Sequence, residues 1–145
     1  RTLAKYPIGI AMPIHHALAQ EPHLTLGQTM GYRHIVPSEP LLIHERVQAI
    51  YARGRINEKQ TIACNDTRLI RSLIQQDAGI GILSYLDVAS DVQDGHLAFV
   101  PLQGRQVKPL TLALCVASHR QLSRAVQLVI ARIAQAFQDF AEPRK

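Results

Sequence analysis

The 145-residue sequence predicts an α/β fold, a mostly parallel sheet covered by helices, and three observations carry that reading. Short apolar runs of strand character alternate with segments whose apolar residues recur at helical spacing, the pattern of βαβ units with right-handed crossovers. Pro and Gly punctuate most boundaries between these runs. Aromatic residues make up only 5% and Trp is absent, so Ile, Leu, Val and Ala must build the core, as is usual between helices and a parallel sheet.

Taken in order, Tyr6–Met12 reads as a strand, opened by Pro7 and closed by Pro13. Thr25–Met30 is a short helix, and Arg33–Val36 a buried strand ended by Pro37. Pro40 permits a helix start. Leu42–Arg53 then sets Leu42, Ile43, Val47, Ile50 and Tyr51 on one face, with Gly54 as its stop. Lys59–Cys64 is the next strand. Asn65 is the expected N-cap of the following helix, Asp66 suits the positive end of its dipole, and Leu69, Ile70, Leu73 and Ile74 form its buried stripe up to Gly79. A strand at Ile80–Leu83, a brief helix at Tyr85–Ala89, a turn at Asp94-Gly95 and strands at His96–Pro101 and Leu110–Ala117 follow. The last element repeats Leu122, Val126, Val129, Ile130, Ile133, Phe137 and Phe140 at helical spacing, an amphipathic helix of about five turns packed on the sheet.

The formal charge is +5, but Lys and Arg are scattered and only the tail Pro143-Arg144-Lys145 concentrates them. That is a solvated basic surface rather than a nucleic-acid footprint. No apolar run approaches the roughly 20 residues a bilayer requires. The opening Arg1-Thr2-Leu3-Ala4-Lys5 is not the apolar stretch of a signal peptide, and without an initiator Met the chain reads as a trimmed cytoplasmic protein. Cys64 and Cys115 both sit in apolar stretches and are expected as free, buried thiols.

Several chemistries find no support. His15 and His16 are adjacent, so their side chains diverge, and no HxxxH, CxxC or HExxH spacing suggests a metal site. There is no GxSxG elbow or P-loop, and Ala78-Gly79-Ile80-Gly81 lacks the rest of a dinucleotide fingerprint. Asp66, Asp77, Asp87 and Glu39 form no recognisable acid–base pair. Neither catalysis nor a cofactor is expected. In open α/β sheets ligands collect at the carboxyl ends of the strands, which points to the loops Pro37-Ser38-Glu39 and Cys64-Asn65-Asp66-Thr67.

The order and spacing of several segments resemble the effector-binding domain of LysR-type transcriptional regulators. Ile8-Gly9-Ile10-Ala11 with His16-Ala17-Leu18-Ala19 is similar to that family's strand and "HPLA" segment, with Ala17 in place of the proline. Thr25-Leu26-Gly27-Gln28 matches a short helix before a buried strand. Asn65-Asp66 through Leu73, then Ala78-Gly79-Ile80-Gly81-Ile82-Leu83, resembles a helix followed by "aGxGIxllP", with Ser84 where the proline belongs. Asp94-Gly95-His96-Leu97 is like the "xGxL" turn, and Pro109-Leu110 through Ala117 with Leu122–Val126 is like the closing strand and helix.

This resemblance implies a periplasmic-binding-protein-like (type II) regulatory domain, mostly its second lobe with the crossing strands and C-terminal helix. Residues 1–12 would be the first crossing strand, 13–108 the second lobe, 109–117 the second crossing strand, and 118–145 a helix returning to the first lobe. Most of the first lobe and the DNA-binding helix-turn-helix would precede the chain, so DNA would be reached only through that missing domain. A small-molecule effector, with a carboxylate as one candidate class, would bind between the lobes. The implied effector-binding residues are Gly9, Pro37, Ser38, Cys64, Asn65, Asp66 and Thr67. The full-length protein would be a homo-oligomer, a dimer or tetramer, whose geometry the effector shifts. A solute-binding protein for transport, which shares the two-lobe fold, is the alternative.

Overall fold

The computed structural model describes residues 2–52, 54, 60–117 and 121–138. The strands are β1 (Thr2–Tyr6), β2 (Ile8–Met12), β3 (His34–Pro37), β4 (Thr61–Cys64), β5 (Ile80–Ser84), β6 (Ala98–Pro101) and β7 (Leu110–Ala113). The helices are α1 (Leu26–Thr29), α2 (His44–Tyr51), α3 (Thr67–Gln75), α4 (Tyr85–Gln93) and α5 (Arg124–Gln138). Arg53, Lys59, Phe140 and the Pro143-Arg144-Lys145 tail, all invoked by the sequence reading, lie outside the described residues.

Five strands form one sheet in the order β4-β3-β5-β2-β6. The α/β expectation holds, but the sheet is mixed. β3 runs parallel to β4 and β5, whereas β2 runs antiparallel to β5 and β6. The cause is the connection from Met12 to His34, which leaves and re-enters at the same end of the sheet and so reverses the chain. The connections through α2, α3 and α4 do traverse the sheet.

The single strand expected at Tyr6–Met12 is two strands. Pro7 lacks an N–H and breaks the ladder there. β1 pairs antiparallel with β7 in a separate two-stranded sheet, while β2 enters the main sheet. The Tyr85 N–H bonds the Pro7 carbonyl at 2.9 Å, pinning the break to the start of α4.

Every residue of β2 is buried, and the strand divides two cores. Ile8, Ile10 and Met12 face Val47, Ile50 and Tyr51 of α2 together with Leu24 and Val100. Ala11, on the other face, joins Ile70 and Ile74 of α3 and Tyr85, Val88 and Ala89 of α4. Gly9 leaves no room for a side chain. A Cβ there would overlap the Val100 carbonyl and come within 2.7 Å of the Phe99 ring and 2.9 Å of Pro101 Cα. Phe99 occupies that gap and meets Tyr85 edge-on, ring centres 5.4 Å apart.

Helix ends correct the reading in detail. α3 is capped by Asp66, not Asn65: its carboxylate accepts the Arg68 N–H at 2.8 Å and the Leu69 N–H at 3.2 Å. At the far end Asp77 takes φ 61°, and the Ala78 and Asp77 N–H groups bond the Leu73 and Ile74 carbonyls, a Schellman ending with Asp where Gly is usual. α4 runs four residues beyond Ala89 because Gly95, at φ 75°, supplies the same ending later. Within α3, Leu69 is half-exposed while Ile70 and Ile74 are fully buried.

α2 starts later than expected. Two turns, Leu41 to Ser38 and His44 to Leu41, precede it, packing Leu41 on the core and leaving Leu42 97% exposed. β7 stops at Ala113, short of the expected Ala117, and Cys115 beyond it is exposed, contrary to its expected burial. On α5 only Ala134 is buried; Val126 and Val129, expected inward, are exposed, as is Leu128. The helix touches the β1–β7 pair, with the Tyr6 hydroxyl donating to the Phe137 carbonyl at 3.0 Å. A stripe this apolar requires a cover, which the described residues do not supply.

His34 is buried between α1 and α2. One tautomer satisfies the ring fully: Nε2–H donates to the Thr29 carbonyl at 2.9 Å, and the Tyr51 hydroxyl donates to Nδ1 at 2.7 Å. Burial pushes the His34 pKa below its ordinary value, the Thr29 bond only partly opposing this. The unfolded chain takes up this proton near pH 6.5, the folded chain only at lower pH. Stability is therefore complete above about pH 6.5 and declines as pH falls from there towards the folded pKa. His16, also lowered by burial, adds to the trend.

Two outcomes follow. The melting temperature falls between pH 7 and pH 5, and H34Q, less stable at pH 7, shows a shallower fall by circular dichroism. G9A loses about 1–3 kcal/mol in urea denaturation, the range for overpacking a tight core.

Candidate functional site

The carboxyl ends of β3 and β4 lie side by side because the two strands are parallel and in register, with Pro37 opposite Cys64. The Ser38 N–H bonds the Cys64 carbonyl at 2.9 Å, carrying the pairing one residue past the strand and holding the two loops together. Six of the seven expected residues, Pro37, Ser38, Cys64, Asn65, Asp66 and Thr67, are thus brought to one edge of the sheet.

Gly9 is apart from them. It pairs with Leu83 and Pro101 on β2, and continuing the β3–β5 register by two residues places Pro37 opposite Leu83. Gly9 therefore shares the row of Pro37 and Cys64 with β5 between, and its packing under Phe99 accounts for the glycine without a ligand.

The edge is polar at its rim and apolar beneath. Pro37 and Cys64 are buried, Ser38 and Thr67 half-buried and Asn65 exposed. The side chains of Ser38, Asn65 and Thr67 have no hydrogen-bond partner among the described residues. The Cys64 thiol is turned inward and donates to the Asp66 carbonyl at 3.5 Å. Asp66 spans the first turn of α3, and its carboxylate fills the place where a helix start would otherwise receive an anion. Arg68 Nε stands 4.0 Å from that carboxylate, an exposed pair of small energetic weight.

Two positioning groups were missed by the sequence reading. His44, the first residue of α2, donates Nδ1–H to the Pro37 carbonyl at 2.9 Å and so ties the loop after β3 to the helix that follows it. Ser84 stands where the resembling family has proline. Asp87 Oδ2 accepts from both its hydroxyl (2.8 Å) and its N–H (3.2 Å), anchoring the end of β5 to α4. A seven-residue gap between a strand-ending Pro and a His is too common to have flagged the first. The Ser-x-x-Asp spacing of a capping box was a usable signal for the second.

Among the described residues no three His, Cys, Asp or Glu side chains are grouped to hold a metal ion, and no helix is long and apolar enough to cross a membrane. Cys64 and Cys115 are both free.

Comparison with known proteins places this architecture. The LysR substrate binding domain family matches residues 1–138. Among solved structures, the effector binding domain of QuiR in complex with shikimate is 19% identical, with a TM-score of 0.62 over 97% of this chain and 61% of that one. The regulatory domain of Synechocystis PCC6803 CcmR in complex with 2-PG is 15% identical, TM-score 0.65, over 94% of this chain and 65% of that one. The BenM effector binding domain with benzoate is 19% identical, TM-score 0.60, over 98% and 65% respectively. The chain thus spans 61–65% of the length of these three domains. No match was found among curated proteins. These likenesses share one fold, the type II periplasmic-binding-protein-like regulatory domain that the sequence pattern resembled. The chain belongs to the LysR substrate binding domain family.

Proposed function

We propose that this chain is the effector-sensing part of a LysR-type transcriptional regulator, receiving a small molecule at the edge where the β3 and β4 loops meet. The observation that carries this reading is the parallel β3–β4 pair, which sets Ser38, Asn65 and Thr67 together with free polar groups at the carboxyl edge of the sheet. In open α/β sheets that edge is where ligands bind.

The main sheet, β2 included, with α1–α4 around it is the second regulatory lobe, so the first crossing strand expected over residues 1–12 is reduced to β1; β7 is the second crossing strand, and α5 belongs with the first lobe. The separate β1–β7 pairing and the α5 contact with β1 support this division. So does the exposed apolar stripe of α5, with Leu128 62% and Val129 57% exposed, which a first-lobe sheet would cover. The effector sits between the lobes, and its binding favours one arrangement of a cytoplasmic homo-oligomer over another, repositioning DNA-binding domains outside this chain.

The charge at the edge narrows the ligand. Asp66 already occupies the α3 start, so a carboxylate ligand is not held there; its oxygens meet the Asn65 amide and the Ser38 and Thr67 hydroxyls instead. The wall favours hydroxyl-rich molecules over simple acids.

Titrating the 15N-labelled chain with a metabolite panel that includes shikimate and benzoate tests the site. The expected result is a saturable compound that shifts the amides of Ser38 and Cys64–Thr67, weakened up to about tenfold by S38A or T67V, the size of one lost hydrogen bond. Ligands that bind only elsewhere, indifferent to both substitutions, would overturn the assignment. Sequencing the coding DNA upstream of Arg1 tests the regulator reading: an in-frame winged helix-turn-helix is expected, and a secretion signal there would favour transport.

A further inference from the structure

A cavity of about 500 Å³ lies on the α1–α2 side of the sheet, away from the edge just described. Leu26 and Met30 line it from the α1 segment, Ile50 from α2, and Leu102 and Val107 from the segment between β6 and β7. Among the described residues its polar side chains come from one stretch of that segment, Gln103, Arg105 and Gln106. None of Ser38, Asn65 or Thr67 borders it, and among the described residues no Asp or Glu does.

Three features hold one wall of this open cleft in place. The segment is anchored on entry, with the Leu102 N–H on the Ile8 carbonyl at 3.0 Å and the Gln103 N–H on the Leu24 carbonyl at 2.7 Å. It closes on itself through the Val107 N–H to the Gly104 carbonyl at 3.1 Å. On exit Arg46 of α2 donates Nη1–H groups to the Lys108 and Pro109 carbonyls at 3.3 and 3.2 Å, so α2 holds both a wall of the cavity and the run into β7. The side chains of Gln103, Arg105 and Gln106 have no partner of their own among the described residues. A largely apolar cleft of this size with a few polar groups at one side is a usual form of small-molecule site. Arg105 is the one charged side chain among the described lining residues, and its guanidinium, without a partner among them, selects a carboxylate.

We propose that this cavity is a second small-molecule site, distinct from the β3–β4 edge, which takes an amphipathic monocarboxylate. The aromatic or branched aliphatic body lies against Leu26, Met30, Ile50, Leu102 and Val107, and the carboxylate meets Arg105. Because Arg46 joins α2 to the segment entering β7, an occupant wedged between them biases the strand that leaves the lobe.

The 15N-labelled chain is titrated with benzoate, 3-phenylpropanoate, isovalerate and octanoate, and with 3-phenylpropanamide as a neutral control. The expected result is a saturable shift of Gly27, Met30 and Gln103–Val107 with at least one acid, without movement at Ser38 or Asn65–Thr67. R105Q, on an exposed turn, weakens it about fivefold or more, as loss of a charged hydrogen bond does. G27L weakens it: Gly27 lines the cavity, and a Cβ there meets only Thr25 Oγ1, at 3.9 Å, so the larger side chain crowds the rim without displacing packed atoms. The proposal fails if no acid gives a saturable shift, if the amide binds as tightly as its acid, or if R105Q and G27L both leave the affinity unchanged. Each of these reads at residues other than those of the β3–β4 edge, so either site can fail alone.

Discussion

The burial of β2 on both faces is the constraint from which the rest of the structure follows. Its five residues sit between β5 and β6, and the strand separates a core built with α2 from one built with α3 and α4. Ile8, Ile10 and Met12, fully withdrawn from water, each contribute roughly 1.5–3 kcal/mol of hydrophobic stabilisation. That force holds the strand in the sheet although its direction opposes its neighbours. Directly before it, Pro7 ends the ladder and passes the chain to the β1–β7 pair. The position of the sheet relative to that pair is therefore decided within two residues, and the Tyr85 N–H on the Pro7 carbonyl makes the joint firm.

The sheet in turn decides the candidate site. β3 and β4 are parallel because α2 carries the chain back across the sheet, and parallel strands end together. Two loops 27 residues apart in sequence, counted from Pro37 to Cys64, become neighbours through the Ser38–Cys64 bond and the His44 anchor. Asp66 gives this edge its electrical character. By satisfying two N–H groups of α3 from within the chain it stabilises the helix and removes an anion hole in the same act. Stability and ligand preference are linked in one side chain, so a change at Asp66 would alter both.

Much of this was legible in the residues. Ile80–Leu83, the turn at Gly95 and the loops after β3 and β4 were recognised where they occur, because short apolar runs bounded by Pro, Gly and Asn leave few alternatives. Other points were not. Whether Asn65 or Asp66 caps α3 depends on a one-residue choice between two good capping types, resolved only by the helix starting at Thr67, where the Asp66 carboxylate meets the Arg68 and Leu69 N–H groups. Gly9 was implied as an effector contact by the family resemblance alone; that Phe99 of β6 packs against it could not be read from the residues. Leu42 fits the helical stripe by spacing, yet the two turns after Ser38 rotate Leu41 inward instead.

Local and tertiary information divide along a clear line. The sequence by itself determined the α/β class, the order of its elements, the family pattern and the two loops that carry the polar groups, since these depend on periodicity and on turn chemistry within a few residues. Only the tertiary structure decided that β2 is reversed, that Pro7 parts two sheets, that Phe99 packs against Gly9, and that the described residues leave Val126 and Val129 uncovered. Strand direction and burial are set by which distant segments meet, and no residue carries a record of its partner.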